Sequence, residues 1–374
     1  MEKLKLKRER NCNVEMLRIV AMVMVVLLHV LGKGIDTLGG GGYEPFSLSY
    51  YIYWLIMSFS YCAVDVFVFI SGYFLCEQEV HFHKVVKLWF QVLFYSVGIY
   101  LVLVLARLIP FVSGELLKLI FPISTRQYGF VTAYIGMIFM APVMNCLINK
   151  TEREAHLKII CLLLGLASLW PMVTGFKVIF FQENNTFGLF LVIYMLAAYV
   201  RKYCKSVNPW RNFKYYSFVC LFQMGVGIFV AGVLNFLIGK VKGEGILMHY
   251  NSPTVLLSAL LLCQAFLAMK EYRPKFVKKI ILAVSPLVFG VFLIHEHPFL
   301  RNFIWSAFNR VAGNQASVLW IPGAAIVIFG VCIIIEKVRV VLFRCFRINR
   351  FEELLESFLN KWKDIIMKKY EALN

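Results

Sequence analysis

From Val14 to about Leu342 the chain is a succession of apolar runs, each about as long as a bilayer is thick. A hydrocarbon core of ~30 Å takes about 20 residues of helix to cross, and every backbone polar group inside it must be paired within the protein. Runs of this length read as transmembrane helices. The composition agrees. The 374 residues are 60% hydrophobic and 16% charged, against roughly 25% charged in soluble domains. An ordinary soluble globular protein is excluded.

A window of about 19 residues predicts ten spans, near 14–31, 50–75, 88–109, 128–148, 157–174, 186–203, 215–238, 253–269, 280–299 and 318–335. The fifth and sixth are the weakest, because Pro171, Gln182, Glu183 and Asn184 crowd their join. The fold class expected is an all-α membrane protein. A basic tail (1–13) precedes one polytopic domain (14–342), and a short amphipathic helix follows (343–374). Its stripe runs through Phe351, Leu354, Leu355, Phe358, Leu359 and Trp362, as in a helix lying on a membrane surface.

The net charge of +18 is topological rather than a sign of nucleic acid. Of the 39 Lys and Arg, 29 fall in the termini and one set of alternate loops, and nine in the other set. The positive-inside rule then puts both termini in the cytoplasm. No secretory cleavage site follows the first run, which is expected to stay as the first transmembrane helix. The ten cysteines show no paired spacing and no CxxC. They read as free thiols, and no metal set is expected.

The first span carries Arg18 and His29. Ionisable groups inside such a run are costly and usually functional. Eleven positions at about 100° each bring both to one helix face, roughly 16 Å apart along the axis. By depth, Arg18 lies roughly 6 Å in and His29 roughly 22 Å in. His295 on the ninth span reaches a depth of roughly 22 Å as well, and Asp65 on the second lies roughly 15 Å from the inner end. Arg18, Asp65, His29 and His295 thus form a ladder across the membrane if their helices are neighbours, with Glu296 and His297 following toward the outside. Plainer roles stay open. Arg18 can pair with Glu15 at i−3 and snorkel to lipid phosphate. His29 and Asp65 can bond between helices, and His295 can meet interfacial water. Gly72 reads as a packing residue, and Asn145, Gln223, Asn235 and Gln264 as interhelical hydrogen-bonding groups.

The functional reading uses imidazole and guanidinium chemistry. A neutral histidine takes a proton from a hydroxyl near neutral pH, and a guanidinium suits a phosphate-rich ligand. Together they fit acyl transfer from a cytoplasmic acyl-CoA to a sugar hydroxyl, with the pantetheine arm threading from Arg18 toward His29.

Four segments in order resemble the integral-membrane acyltransferase family 3, the surface-polysaccharide O-acyltransferase type. They are Val14-Glu-Met-Leu-Arg-Ile-Val with His29, Asp65-Val-Phe-Val-Phe-Ile-Ser-Gly-Tyr73, the aromatic-rich Phe130–Pro142, and Gly290-Val-Phe-Leu-Ile-His-Glu296. The resemblance covers about residues 11–342. It implies an acyl-CoA donor, commonly acetyl-CoA, as co-substrate with no bound cofactor, and a carbohydrate acceptor at or beyond the outer face of the cell membrane. It implies an essential His29, with Arg18 holding the donor. Where many members carry an arginine pair, this chain has Lys84 and Lys87, which keep the charge but lose the bidentate fork. The mechanism expected has His29 as base, oriented by a group such as Asp65. Arg18, Lys84 and Lys87 bind donor phosphates, and His295, Glu296 and Glu15 support the site or its acceptor side. An acyl-histidine variant stays open. The alternative reading is a multi-span transporter or flippase for a glycan or small solute, which lacks the inverted repeat such folds often show. A non-catalytic subunit of a polysaccharide-building complex is a third. The oligomeric state is not readable.

Overall fold

The computed structural model describes residues 10–34, 43–78, 82–175, 187–205, 207–271, 273–312 and 318–348, with the isolated position 357. Among these residues the structure is helical, without strands. In chain order the helices are α1 (Cys12–His29), α2 (Leu48–Ser60), α3 (Ala63–Leu75), α4 (Phe82–Leu105), α5 (Ser113–Ile120), α6 (Gly129–Lys150), α7 (Arg153–Leu164) and α8 (Trp170–Thr174). They continue as α9 (Phe187–Tyr203), α10 (Pro209–Ile238), α11 (Pro253–Ala268), α12 (Lys275–Val284), α13 (Val288–His295), α14 (Leu300–Ala312) and α15 (Trp320–Cys345). Among the described residues, seven segments are long and apolar enough to cross a membrane. Helices also occupy the other three predicted spans, as α9, α11 and α15. α15 runs to Cys345, into the stretch assigned to the C-terminal amphipathic helix, whose apolar stripe from Phe351 to Trp362 lies outside the described residues, as does the Gly39–Gly42 run.

The chain is a multi-pass membrane protein, and its surface says so independently. Phe218, Phe229 and Phe236 on α10 are 67%, 71% and 89% exposed. Ile326, Val327 and Ile334 on α15 are similarly bare. So much contiguous apolar surface calls for a lipid cover.

Local chemistry sets the helix ends. The Asn11 side chain accepts from Asn13 N and Val14 N at the start of α1, and Glu15 complements the first turn. Past His29 the helix widens into one π turn, Val30–Gly34. At the predicted second span the chain makes two helices, broken at Tyr61–Cys62. The carbonyls this break frees are met from α10. Tyr216 donates to Phe59 O (2.5 Å) and Gln223 to Ser58 O (2.8 Å), which keeps these two carbonyls paired. The predicted ninth span is also interrupted, by a 3₁₀ turn at Ser285–Leu287 that contains Pro286. The amphipathic α5 and α14 lie in segments read from sequence as loops.

Buried polar groups tie the bundle together. Asn145 on α6 donates to Leu75 O and accepts from Tyr194 of α9, at 2.9 and 2.7 Å. Gln264 accepts from Asn212 at 3.4 Å. Glu336 on α15, fully buried, accepts from Gln91, Tyr95 and Arg339 at 2.6–3.0 Å. Gly290 of α13 makes room for it, since a Cβ there would lie 2.4 Å from the carboxylate.

Gly72 serves the packing role read from the sequence. A Cβ at this position would stand 2.9 Å from Tyr194 Cα, so α3 and α9 meet backbone to backbone. Gly72→Ala is expected to force them apart and cost about 1–3 kcal/mol. A thermal scan of the detergent-purified protein checks this, and an unchanged melting midpoint contradicts it.

Candidate active site

Arg18, Met22, Val25 and His29 recur at intervals of four, three and four along α1, so they form one stripe. All four line a single cavity of about 600 Å³. Its other walls come from Val64, Phe67 and Ser71 on α3, Lys87, Leu88 and Gln91 on α4, Phe130 and Tyr134 on α6, and Ser285, Pro286, Val288, Phe289 and Phe292. Tyr250, from the segment before α11, also reaches it. A second cavity of about 830 Å³ lies beyond Arg18 and shares Arg18, Ser71, Leu88 and Tyr134 with the first. The two form one passage with Arg18 at their junction and His29 in the first.

The hydrogen bonds around His29 determine its tautomer. His295 Nδ1 lies 2.6 Å from the carbonyl of Val291, one helical turn back. A carbonyl only accepts, so His295 Nδ1 carries the proton, and its Nε2 is the acceptor when the ring is neutral. His29 Nδ1 lies 2.9 Å from that Nε2 and therefore donates. The lone pair of His29 is left on Nε2, on a side chain that lines the cavity. Glu296 Oε1 stands 3.5 Å from His29 Nδ1, and Glu296 Oε2 accepts from Lys33 Nζ at 2.5 Å. The carboxylate is thus placed to stabilise an imidazolium, with a lysine on its far side. His29, His295 and Glu296 offer ligand atoms within 4.8 Å of one another, a spacing compatible with a metal ion. Lys33 already supplies a positive charge to this cluster.

At the junction, Arg18 Nη1 donates to both oxygens of Glu15, at 3.0 and 3.2 Å. Ser285 Oγ donates to the same carboxylate. Glu15 and Ser285 therefore hold the guanidinium across the passage, and its remaining N–H groups stay available to a ligand. Tyr134 and Ser71 bond at 2.9 Å, and Ser71 Oγ donates to Phe67 O at 2.9 Å. The tyrosine is therefore the donor in their pair.

Asp65 is placed differently from expectation. It is fully buried, and neither carboxylate oxygen has a hydrogen-bond partner among the described residues. Val64, Phe67 and Ser71 form the cavity stripe of α3, and Asp65 points about 100° away from Val64. The orienting acceptor of His29 is His295. Lys87 lines the first cavity. Lys84 belongs to α4, but its side chain lies outside the described residues. His297 is a structural residue. One ring nitrogen bonds Ser96 O at 3.0 Å, and Nδ1 accepts from Phe299 N and Leu300 N at the start of α14. Sequence reasoning missed Lys33. It follows His29 by four residues, a usable signal, but it falls beyond the predicted end of the first span at residue 31. Tyr134, Gln91 and Tyr250 were missed because nothing local distinguishes a cavity wall from a packing face.

A bundle of apolar helices around a cavity that holds His29 and its partner His295 defines the class: a multi-pass membrane protein with an internal polar site. The chain belongs to acyltransferase family 3, whose acyltransferase domain it matches over residues 13–337. It is a membrane acyltransferase. No curated protein and no solved structure matches it.

His295→Leu removes the acceptor that fixes His29. Turnover in acyl transfer is expected to fall on the order of 10²-fold or more, with normal elution on gel filtration. Wild-type kcat in that variant would rule out the His295 contribution.

Proposed function

We propose that the protein transfers an acyl group, most simply acetyl, from an acyl-CoA to a hydroxyl of a surface or lipid-linked glycan at the cell membrane. The observation that carries this reading is the shared passage with Arg18 at its neck and the His29 lone pair farther along. The excess of basic residues on the Arg18 side orients that end, and both termini, toward the cytoplasm. The donor enters there. Its phosphates meet the guanidinium, and its pantetheine arm follows the apolar wall of Met22, Val25, Phe289 and Phe292. The acceptor approaches His29 from the opposite side.

His29 Nε2 takes the proton of the acceptor hydroxyl as its oxygen attacks the thioester carbonyl. The tetrahedral adduct collapses, the C–S bond breaks, and the thiolate takes the proton back from His29. The products are an ester and free coenzyme A, and the enzyme returns to its starting protonation. While His29 is doubly protonated, His295 accepts from Nδ1 and Glu296 balances the charge. Lys33 restrains Glu296 so that the carboxylate neither swings away nor removes the proton. Lys87 adds positive charge on the donor side, as Lys84 does in the reading from sequence.

His29→Ala should abolish transfer from labelled acetyl-CoA to glycan, a loss of about 10²–10⁴-fold. Arg18→Ala should raise the donor KM by about 10- to 100-fold, the worth of a charged hydrogen bond, and change kcat less. Steady-state kinetics in proteoliposomes reads both. Retained transfer in the His29 variant sinks the proposal, and solute uptake without ester formation would favour a transporter.

A further inference from the structure

The second cavity is larger than the first and differs in chemistry. Its lining side chains include the guanidiniums of Arg10, Arg18 and Arg201 and the carboxylates of Glu15 and Glu271. Both carboxylates have cations of their own. Glu15 holds Arg18 at 3.0 Å, and Glu271 holds Lys278 at 3.2 Å. Three guanidiniums against two carboxylates leave the lining one positive charge in excess, and Tyr73 and Phe74 add aromatic surface.

Arg201 sits in the last turn of α9. Its Nη2 donates to Glu77 at 2.6 Å, its Nη1 to the Tyr73 hydroxyl at 3.1 Å, and its Cζ lies 4.9 Å from the Tyr73 ring centroid. These contacts fix the plane of the guanidinium against the cavity wall. They use two of its five N–H groups. A planar fork held in place is suited to a terminal phosphate, which offers several oxygens and more than one negative charge. Nothing in the mechanism above uses this residue, and a hydrophobic contact would have joined α3 to α9 at lower cost.

We propose that this cavity receives the nucleotide end of the donor, and that Arg201 reads its 3′-phosphate while Arg18 holds the diphosphate at the junction. Arg10 lines the same cavity, and Phe74 adds an aromatic surface for adenine. Glu77 keeps the Arg201 guanidinium oriented when the donor is absent. The inference rests on the acyl-CoA reading above and adds the part of the donor that is recognised.

The test uses the full chain in nanodiscs and titrates coenzyme A, 3′-dephospho-coenzyme A and pantetheine by calorimetry. The wild type should prefer coenzyme A over its dephospho form by about 10- to 100-fold. Arg201→Gln should erase that preference while leaving dephospho-coenzyme A affinity nearly unchanged. Arg201→Lys, which preserves a cation opposite Glu77, should retain part of it and serves if the Gln variant does not fold. A wild type indifferent to the 3′-phosphate, or an Arg201→Gln variant that weakens both ligands alike, overturns the proposal. A wild type that binds none of the three and transfers no acyl group instead refutes the donor reading itself.

Discussion

One hydrogen bond between two imidazoles organises the centre of this molecule. It joins α1 to α13, and its direction is imposed from outside the pair by a main-chain carbonyl. Because Val291 O can only accept, the proton positions propagate outward through His295 to His29. A neutral imidazole with its lone pair on Nε2 follows from these two bonds, without a carboxylate hydrogen-bonded to the ring. Inside a low-dielectric bundle, such fixed dipoles are worth more than in water and do not have to reorganise during reaction.

The same requirement, that no polar group be left bare in lipid, explains the irregular places in the fold. The break between α2 and α3 exists where Gln223 and Tyr216 can take the freed carbonyls. Glu336 survives full burial because three side chains donate to it and Gly290 yields the space. The helices that border the passage are therefore held by specific bonds as well as by packing. A cavity of this size needs such support, since lipid exerts no hydrophobic force that would draw helices together.

The architecture was legible in the sequence wherever one variable sufficed. Apolar length gave the helices, and the 100° step gave the common face of Arg18 and His29. Depth along the helix matched His295 to His29 before any contact was known. Azimuth between different helices was not available, and that is why Asp65 was paired with His29 on depth alone. One position around α3 separates it from the cavity stripe. Amphipathic helices such as α14 lack an apolar window and passed as loops. Arg201 was indistinguishable from any other charge at a span end, because its place beside Tyr73 depends on how α9 meets α3. That meeting depends in turn on the bare backbone at Gly72.

The π turn after His29 has a consequence for how this chain tolerates change. A π turn holds one residue more than the α-helical turn it replaces. The wider turn absorbs that residue, so the helix upstream keeps its register while Lys33 is carried to Glu296. This stretch is a register spacer, in which chain length matters as much as residue identity.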